Sequence, residues 1–535
     1  MTAHRDSFAR DRLPPPELWP DLVFTRPELR YPAQLNCATE LLDGALKRGW
    51  GDREAIRFPG GSWTYAELTE KANRIAAVLT AQLRLVPGQR VLLRGPNNPL
   101  MAACWFGVLK AGGICVTTMP LLRARELAYM IERAAIELVL CDARFTTEIE
   151  QTRQWLPAVP RVVTFGAGGE LDALMRGAAA TYRDVQTAAD DIAIIAFTSG
   201  TTGRAKGTTH FHRDILAICD AFPLSCLQAS GDDLFCGSPP LAFTFGLGGI
   251  LLFPLRIGAR TLLLETATPP HLIKGIAEFG ATVCFTAPTA YRAMLPLIPH
   301  HDIRTLRKCV SAGEHLPLAT FESWKQATGI AIIDGIGSTE MLHIFISAPE
   351  GAIRPGSTGR AVPGYEAKIV DENGRDVPPG TLGRLAVRGP TGCRYLEDSE
   401  LQRGYVLGGW NLPGDSYVMD ADGYFWYQSR TDDMIISSGY NIAAAEIENV
   451  MLEHPAVQEC GVVGVPDEER GQLIQAFVVL RPGHSGADSL VKELQEFVKA
   501  QIAPYKYPRA VTFVAALPRT ETGKLQRFKL RQGMA

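Results

Sequence analysis

The chain has 535 residues, of which 46% are hydrophobic and 21% charged, with a formal net charge of −3. Such a chain has room for several domains of about 100–200 residues and the composition of a globular protein, not a disordered or fibrous one. The small net charge argues against nucleic-acid binding, which calls for a basic face, and no uninterrupted apolar run of about 18 residues indicates a membrane span.

The start, Met1 to Asp11, is polar and lacks the apolar core of a secretory signal, so a cytoplasmic protein without a membrane partner is expected. Eleven cysteines are scattered from Cys37 to Cys460 with no CxxC pair; most stand in apolar runs as small core residues, without a disulfide or metal framework. The histidines show no zinc spacing, and His300-His301 reads as a surface turn.

Residues 1–60 are proline-rich and read as an extended arm with one helix over Ala38–Arg48. Thr64 can cap an amphipathic helix, and Glu67, three residues on, can complete a capping box. Strands are predicted over Gln89–Arg94, Ile114–Thr118, Glu137–Asp142 and Arg161–Phe165, with a helix over Pro99–Ala111 stopped by Gly112-Gly113. Alternation of short apolar strands with helical patterns implies α/β units on a mostly parallel sheet. A further buried strand, Ile192–Phe197, runs into Thr198-Ser-Gly-Thr-Thr-Gly-Arg-Ala-Lys-Gly207. Those ten residues hold three glycines, four hydroxyls and two cations. Glycine permits tight turns, hydroxyls donate, and Arg204 and Lys206 supply charge, so a phosphate cradle competes here with a plain solvated loop.

The alternation resumes with strands over Thr261–Glu265, Thr282–Thr286 and Lys308–Ala312 and helices over Pro270–Phe279 and Thr289–Leu297. From Gly356 to Arg388 the pattern turns to polar–apolar alternation around Asn373-Gly374, which indicates antiparallel hairpins. A second unit begins near residue 432: helix Ala443–Glu453, strands Glu459–Val465 and Ile474–Leu480, helix Ser489–Gln501, strand Ala510–Phe513.

Four more clusters carry chemistry. Asp334-Gly-Ile-Gly-Ser-Thr-Glu340 follows an apolar strand, Ile330–Ile333; Thr339 can bond a phosphate and Glu340 can hold Mg²⁺, which favours carboxylate and phosphate oxygens. The same residues also read as a helix start capped by Ser338. Asp415 follows a Pro-Gly turn and can accept from ribose hydroxyls or serve as a turn residue. Arg430 and Asp432 sit in an Arg-x-Asp-Asp run, by itself a surface ion-pair cluster. Lys524 follows Thr-Gly near the end of the chain, where a lysine is commonly solvated.

In this order and at these separations the clusters resemble the adenylate-forming superfamily of acyl-CoA synthetases, carrier-loading adenylation domains and beetle luciferases. The resemblance runs from Trp63 to Lys524, and Ser311–Pro317 with Asp334–Phe345 is similar to the benzoate- and 2-aminobenzoate-CoA ligase branch. It implies an α/β fold. A large N-terminal domain (1–431) of stacked sheets with a small β-barrel-like part would bind ATP and acid, and a small mobile α+β lid (432–535) would carry the catalytic lysine. It implies ATP, Mg²⁺ and coenzyme A as cofactors: a carboxylate attacks the α-phosphate of ATP, and a thiol then displaces AMP. On this likeness Thr198, Ser199, Gly200, Thr201, Thr202, Gly203 and Lys206 contact the β- and γ-phosphates. Thr339 contacts the α-phosphate and Glu340 the metal. Gly313, Glu314, His315, Asp334 and Gly335 flank the adenine, and Asp415 and Arg430 hold the ribose. Lys524 bridges carboxylate and α-phosphate, where a cation offsets the repulsion of two anions. Asp432 is the hinge, and Gly439 and Tyr440 line the thiol tunnel.

Pro240–Gly248 matches the acyl-pocket segment, with Phe243 at the aromatic gate and Phe245 behind it; Gly335, Ile336, Met341 and His343 complete the pocket. Aromatic and small residues suit a flat acid, 2-aminobenzoate first and benzoate next. His343 is a polar contact to the acid or a satisfied core histidine. Three departures stand out: Ala205 where the loop usually has proline, Arg384 in place of the glutamate of Gly-Glu-Leu, and Leu412-Pro413 where a cation and threonine are common. The alternatives are loading of a carrier protein in trans, no carrier domain following Lys524, or ligation of another small or medium-chain acid. A P-loop NTPase is disfavoured because Gly207, not Ser or Thr, follows Lys206. A homodimer is compatible with the family.

Overall fold

Strands buried on both faces pair in parallel, and the first half of the chain is built from them. The computed structural model describes the chain except residues 167, 200–204, 431–432, 434, 438–439, 468–469, 503–505, 520–524 and 533–535. Arg90–Arg94, Ile114–Thr118 and Leu138–Asp142 lie within a six-stranded sheet. Its order is Arg161–Phe165, Leu138–Asp142, Arg90–Arg94, Ile114–Thr118, Ile192–Ser199, Ala205–Phe211. The pairs are parallel except the last. Ile192–Ser199 and Ala205–Phe211 form a hairpin in which Thr198 faces Lys206 and Ser199 faces Ala205. The Gly/Thr loop therefore joins two strands of one sheet and does not open a helix.

The predicted capping box is present. The Glu67 N–H donates to Thr64 Oγ1 (3.1 Å) and the Thr64 N–H to Glu67 Oε2 (2.8 Å), starting the helix Tyr65–Ala77. That helix packs on Pro99–Lys110 so closely that a Cβ on Gly107 would lie 2.7 Å from Ile75 Cβ.

A second, nine-stranded sheet has strands Glu54–Phe58 and Gly61–Thr64 at one edge. Its interior includes Leu234–Gly237, Val283–Thr286, Lys308–Ser311 and Ile332–Gly337, in parallel. The first 60 residues are thus more than an arm: Glu54–Phe58 pairs with Arg260–Leu262, a partner some two hundred residues away that local pattern cannot reveal. The segment read as one helix over Ala38–Arg48 is two, Cys37–Leu41 and Asp43–Lys47, broken at Leu42. The predicted hairpins around Asn373-Gly374 form an antiparallel third sheet in which Glu366–Val370 pairs with Leu382–Arg388 and Asp415–Met419 with Phe425–Arg430.

The C-terminal unit has its own core. Val457–Asp467 and Gly471–Leu480 pair antiparallel, and Ala510–Phe513 joins in parallel. The helices Ala444–Glu453 and Asp488–Gln501 bury Ile447, Met451, Leu494 and Val498 against them. The fold is therefore α/β with a large N-terminal domain and a smaller α+β C-terminal domain. Among the described residues no helix is long and apolar enough to cross a membrane, and all eleven cysteines are buried and unpaired.

Thr64→Ala, which removes one acceptor of the capping box, is expected to cost about 1 kcal/mol of stability. The urea unfolding midpoint reads it, and Thr64→Ser is expected to stay near wild type.

Candidate active site

The turn Ser338–Leu342, at the end of the strand Ile332–Gly337, is tied at every residue from 338 to 341. Ser338 Oγ accepts from the Met341 N–H (3.2 Å) and lies 3.2 Å from the Tyr405 hydroxyl. The Thr339 carbonyl accepts from His210 Nε2 (2.8 Å) and from the Leu342 N–H (3.2 Å). Glu340 Oε1 accepts from the Tyr395 hydroxyl (2.7 Å), and the Met341 carbonyl from Thr391 Oγ1 (2.7 Å). These bonds hold Leu342 at φ 71°, a left-handed conformation that costs a leucine about 1–2 kcal/mol. No helix starts here. The reading of Ser338 as a helix cap is corrected: Gly335, Ile336 and Gly337 are strand residues paired with Ile344–Ser347, and the chain reverses through the turn. Glycine-rich strands resemble caps locally; the antiparallel partner decides the matter.

The hairpin of Ile192–Ser199 and Ala205–Phe211 comes to this turn through its second strand, since His210 is fully buried and bonds the Thr339 carbonyl. A carbonyl acceptor requires the proton on Nε2. Asp214, behind His210, is paired with the buried Arg394 (3.0 Å), whose charge works against burial and leaves the carboxyl at about 2. Thr198 and Lys206 are half-buried, one on each strand of the hairpin. Glu340 Oε2 has no protein partner among the described residues, so Tyr395 fixes the carboxylate by one oxygen and leaves the other. One such carboxylate beside the Ser338 and Thr339 hydroxyls is a donor set that fits Mg²⁺ carrying phosphate oxygens and water.

The expected adenine and ribose residues surround the other side. Gly313 has φ +88° and nothing within 4 Å of where a Cβ would stand. His315 stacks on Tyr427 with ring centres 5.0 Å apart, and burial pushes its imidazole down to about 4. Burial raises the Glu314 carboxyl. Asp415 and Arg430 face each other across adjacent strands with a 3.2 Å ion pair, and the guanidinium also donates to the Pro413 carbonyl. A Cβ on Gly414 would meet that guanidinium at 2.7 Å. Asp334 Oδ1 is buried without a partner among the described residues, and burial pushes its carboxyl up to about 7. Gly335 has no room for a side chain, since a Cβ there would lie 2.9 Å from Ile344.

Two contacts bring the C-terminal domain to this side. Asn449, on the helix Ala444–Glu453, lies 3.2 Å from His315 Nε2. Arg519 donates to Glu314 (3.1 Å) and to Glu459 (2.7 Å).

Phe243 and Phe245 are half-buried and flank the start of the helix Thr244–Leu247. His343 is enclosed by Phe222, Phe245, Phe253 and Phe285, with the Phe253 ring centre 4.5 Å away. Its Nε2 lies 3.3 Å from the Phe245 carbonyl, its Nδ1 is buried without a partner among the described residues, and burial lowers its pKa to about 3. It is a neutral histidine in an aromatic cage. Gly248 makes room for it, since a Cβ there would come within 2.4 Å of the ring. Ile336 is half-buried and Met341 fully buried.

Gly200, Thr201, Thr202, Gly203, Asp432, Gly439 and Lys524 lie outside the described residues, as do the side chains of Ser199 and Tyr440. Sequence reasoning passed over His210, Tyr395, Tyr405 and Arg519. All four act on residues far away in the chain.

A loop-bearing hairpin, a tied Ser-Thr-Glu turn and a small domain docked beside them come together at this candidate site. Models of the AMP-binding enzyme and of the AMP-binding enzyme C-terminal domain match residues 45–395 and 446–524. The chain belongs to this AMP-binding family and is an AMP-forming ligase of the acyl-CoA synthetase superfamily. It is 34% identical over 514 residues to benzoate–CoA ligase of Thauera aromatica, covering 95% of this chain and 98% of the relative. The structure of the anthranilate CoA ligase AuaEII in complex with anthranoyl-AMP matches with a TM-score of 0.91 and 35% identity, over 95% of this chain and 98% of that one. A benzoate CoA ligase from Burkholderia xenovorans LB400 matches with a TM-score of 0.85 and 34% identity, over 93% and 100% of the two chains.

The folded Asp334 carboxyl keeps its proton to about pH 7, whereas an unfolded one loses it near 3.8. Its contribution to stability is full below about pH 4 and lost as pH rises toward 7. Asp334→Asn is therefore expected to flatten the fall in melting temperature of the ligand-free protein between pH 5 and 7.5; an unchanged slope would show that Asp334 titrates normally.

Proposed function

We propose that this enzyme activates a small aryl carboxylic acid with ATP and transfers the acyl group to coenzyme A, with 2-aminobenzoate as first candidate and benzoate as second. The observation that carries the reading is the fixed Ser338–Met341 turn, with Glu340 held by Tyr395 and Thr339 held by His210, set beside a pocket segment rich in aromatic rings. The turn presents a hydroxyl and a carboxylate already in place, which is how a site stabilises charge without reorganising during reaction. The aromatic walls of Phe243 and Phe245 favour a flat ring over a flexible chain. The likeness to ligases whose names specify benzoate and anthranilate supports the same choice.

In the proposed sequence, the acid lies against Phe243, Phe245, Gly335, Ile336 and His343. Thr339 orients the α-phosphate. Thr198, Ser199, Gly200, Thr201, Thr202, Gly203 and Lys206 hold the departing pyrophosphate. Gly313, Glu314, His315, Asp334 and Gly335 border the adenine, and Asp415 with Arg430 takes the ribose hydroxyls. Glu340 would hold Mg²⁺, whose charge neutralises the phosphate oxygens. Lys524 lies between carboxylate and α-phosphate in the first step. The domain division is placed at Asp432, with residues 432–535 turning between the half-reactions so that Gly439 and Tyr440 line the thiol path. A cytoplasmic setting fits coenzyme A as acceptor.

Pyrophosphate release across aryl, fatty and amino acids, with and without coenzyme A, tests the reading. Highest kcat/KM is expected with 2-aminobenzoate or benzoate, with thioester formed one-for-one with AMP. Preference for a medium-chain acid would contradict it, and so would exchange without coenzyme A consumption. Lys524→Ala is expected to abolish adenylation while sparing thioester formation from supplied acyl-adenylate; equal loss of both steps would refute its role.

A further inference from the structure

The acyl-pocket segment begins in a loop that cannot hold itself. Residues 239 and 240 are both proline and bring no N–H, so this stretch has few donors with which to pair. The loop leaves the strand Leu234–Gly237 of the nine-stranded sheet and runs to Phe243 and the helix Thr244–Leu247. Its internal support is one turn bond, from the Phe243 N–H to the Pro240 carbonyl (3.0 Å). It also passes so close to Gly246 that a Cβ there would meet the Pro240 oxygen at 2.2 Å.

At its start Ser238 is tied to Phe285 and Thr286 of its own sheet, and beyond the two prolines the anchorage comes from the other sheet. Asn97 follows the strand Arg90–Arg94 and is 7% exposed. Its Nδ2 donates to the Pro239 carbonyl (3.0 Å), while its Oδ1 accepts from the Leu241 N–H (2.7 Å). Thr117, near the end of the neighbouring strand Ile114–Thr118, donates from Oγ1 to the Ala242 carbonyl (3.1 Å). Two side chains thus satisfy three peptide groups of a four-residue stretch. The strand bearing Thr117 lies next to Ile192–Ser199, the first strand of the phosphate-loop hairpin.

We infer that Asn97 and Thr117 are positioning residues that hold the acid-pocket loop at a set distance from the phosphate-loop sheet, and so determine which acids are aligned for attack on ATP. The inference rests on the proposed acid pocket at Phe243. Asn is suited to the task because one amide both donates and accepts, spanning two peptide groups; a carboxylate can only accept and an alkyl chain can do neither. The consequence for selectivity is physical. A loop released by an ångström leaves ATP binding intact but misaligns the carboxylate, and misalignment of that size is costly to rate.

The test compares Asn97→Asp, Asn97→Ala, Thr117→Ser and Thr117→Val with wild type, measuring KM for acid and for ATP separately and kcat/KM for an aryl acid against a medium-chain acid. Asn97→Ala and Thr117→Val are expected to raise the acid KM by about tenfold or more, the scale of one lost hydrogen bond. Aryl selectivity is expected to fall, with the ATP KM within about twofold of wild type. Thr117→Ser, which keeps the hydroxyl, is expected to restore wild-type values, and Asn97→Asp to resemble Asn97→Ala. If Asn97→Ala does not fold, the isosteric Thr117→Val against Thr117→Ser decides. Equal rises in both KM values, or an unchanged acid KM and selectivity, would overturn the clamp while leaving the aryl-ligase reading in place. Failure of wild type to turn over any aryl acid would overturn both.

Discussion

His210 Nε2 bonds the Thr339 carbonyl at 2.8 Å within the buried interior and ties the Gly/Thr-loop hairpin to the Ser-Thr-Glu turn. His210 belongs to the strand that leaves the phosphate loop, and Thr339 to the turn that ends a strand of the other sheet. The carbonyl takes a second bond from Leu342, and the neighbouring residues are fixed by Tyr405, Tyr395 and Thr391. This network holds a left-handed leucine that an isolated turn would relax. Strain maintained in this way beside an acidic side chain is a mark of a preorganised site, where the geometry needed for reaction exists before the ligand arrives.

The C-terminal domain meets that site on its opposite flank. Arg519 bridges Glu314 of the large domain and Glu459 of its own, and Asn449 reaches His315. Arg292 of the large domain also lies 3.9 Å from Glu459. The C-terminal domain has a core of its own, in which Ile447, Met451, Leu494 and Val498 are buried together.

Features whose cause is local were legible in the sequence. The capping box at Thr64 and Glu67 needs only residues three apart, and the buried strand at Ile114 and the edge strand at Arg161 need only their own apolar runs. The order of the motifs carried the family, because five weak patterns in one sequence are collectively specific. The failures have a common cause. Glu54–Phe58 looked like part of an arm because its pairing strand lies far downstream. The run Gly335–Gly337 looked like the approach to a helix because Ile344–Ser347, which pairs with it, was not recognisable in advance. Tyr395, His210 and Asn97 were passed over because each acts on a group 55, 129 or 142 residues away, through a carboxylate or a peptide carbonyl with no residue-type signature. His343 was placed between two roles, and its enclosure by four phenylalanines gives it a neutral, buried ring with one nitrogen lacking a partner among the described residues.

The most direct measurement of the central claim is a single-turnover experiment at enzyme concentrations above that of the acid. Enzyme, ATP and Mg²⁺ are mixed with 2-aminobenzoate or benzoate, quenched within the first turnover, and examined by mass spectrometry before and after coenzyme A is added. An aryl-adenylate that builds up without coenzyme A and is converted to aryl-CoA and AMP when it is supplied is the expected result. Thioester formation with no adenylate at any time, or acyl phosphate with ADP in its place, would contradict the account.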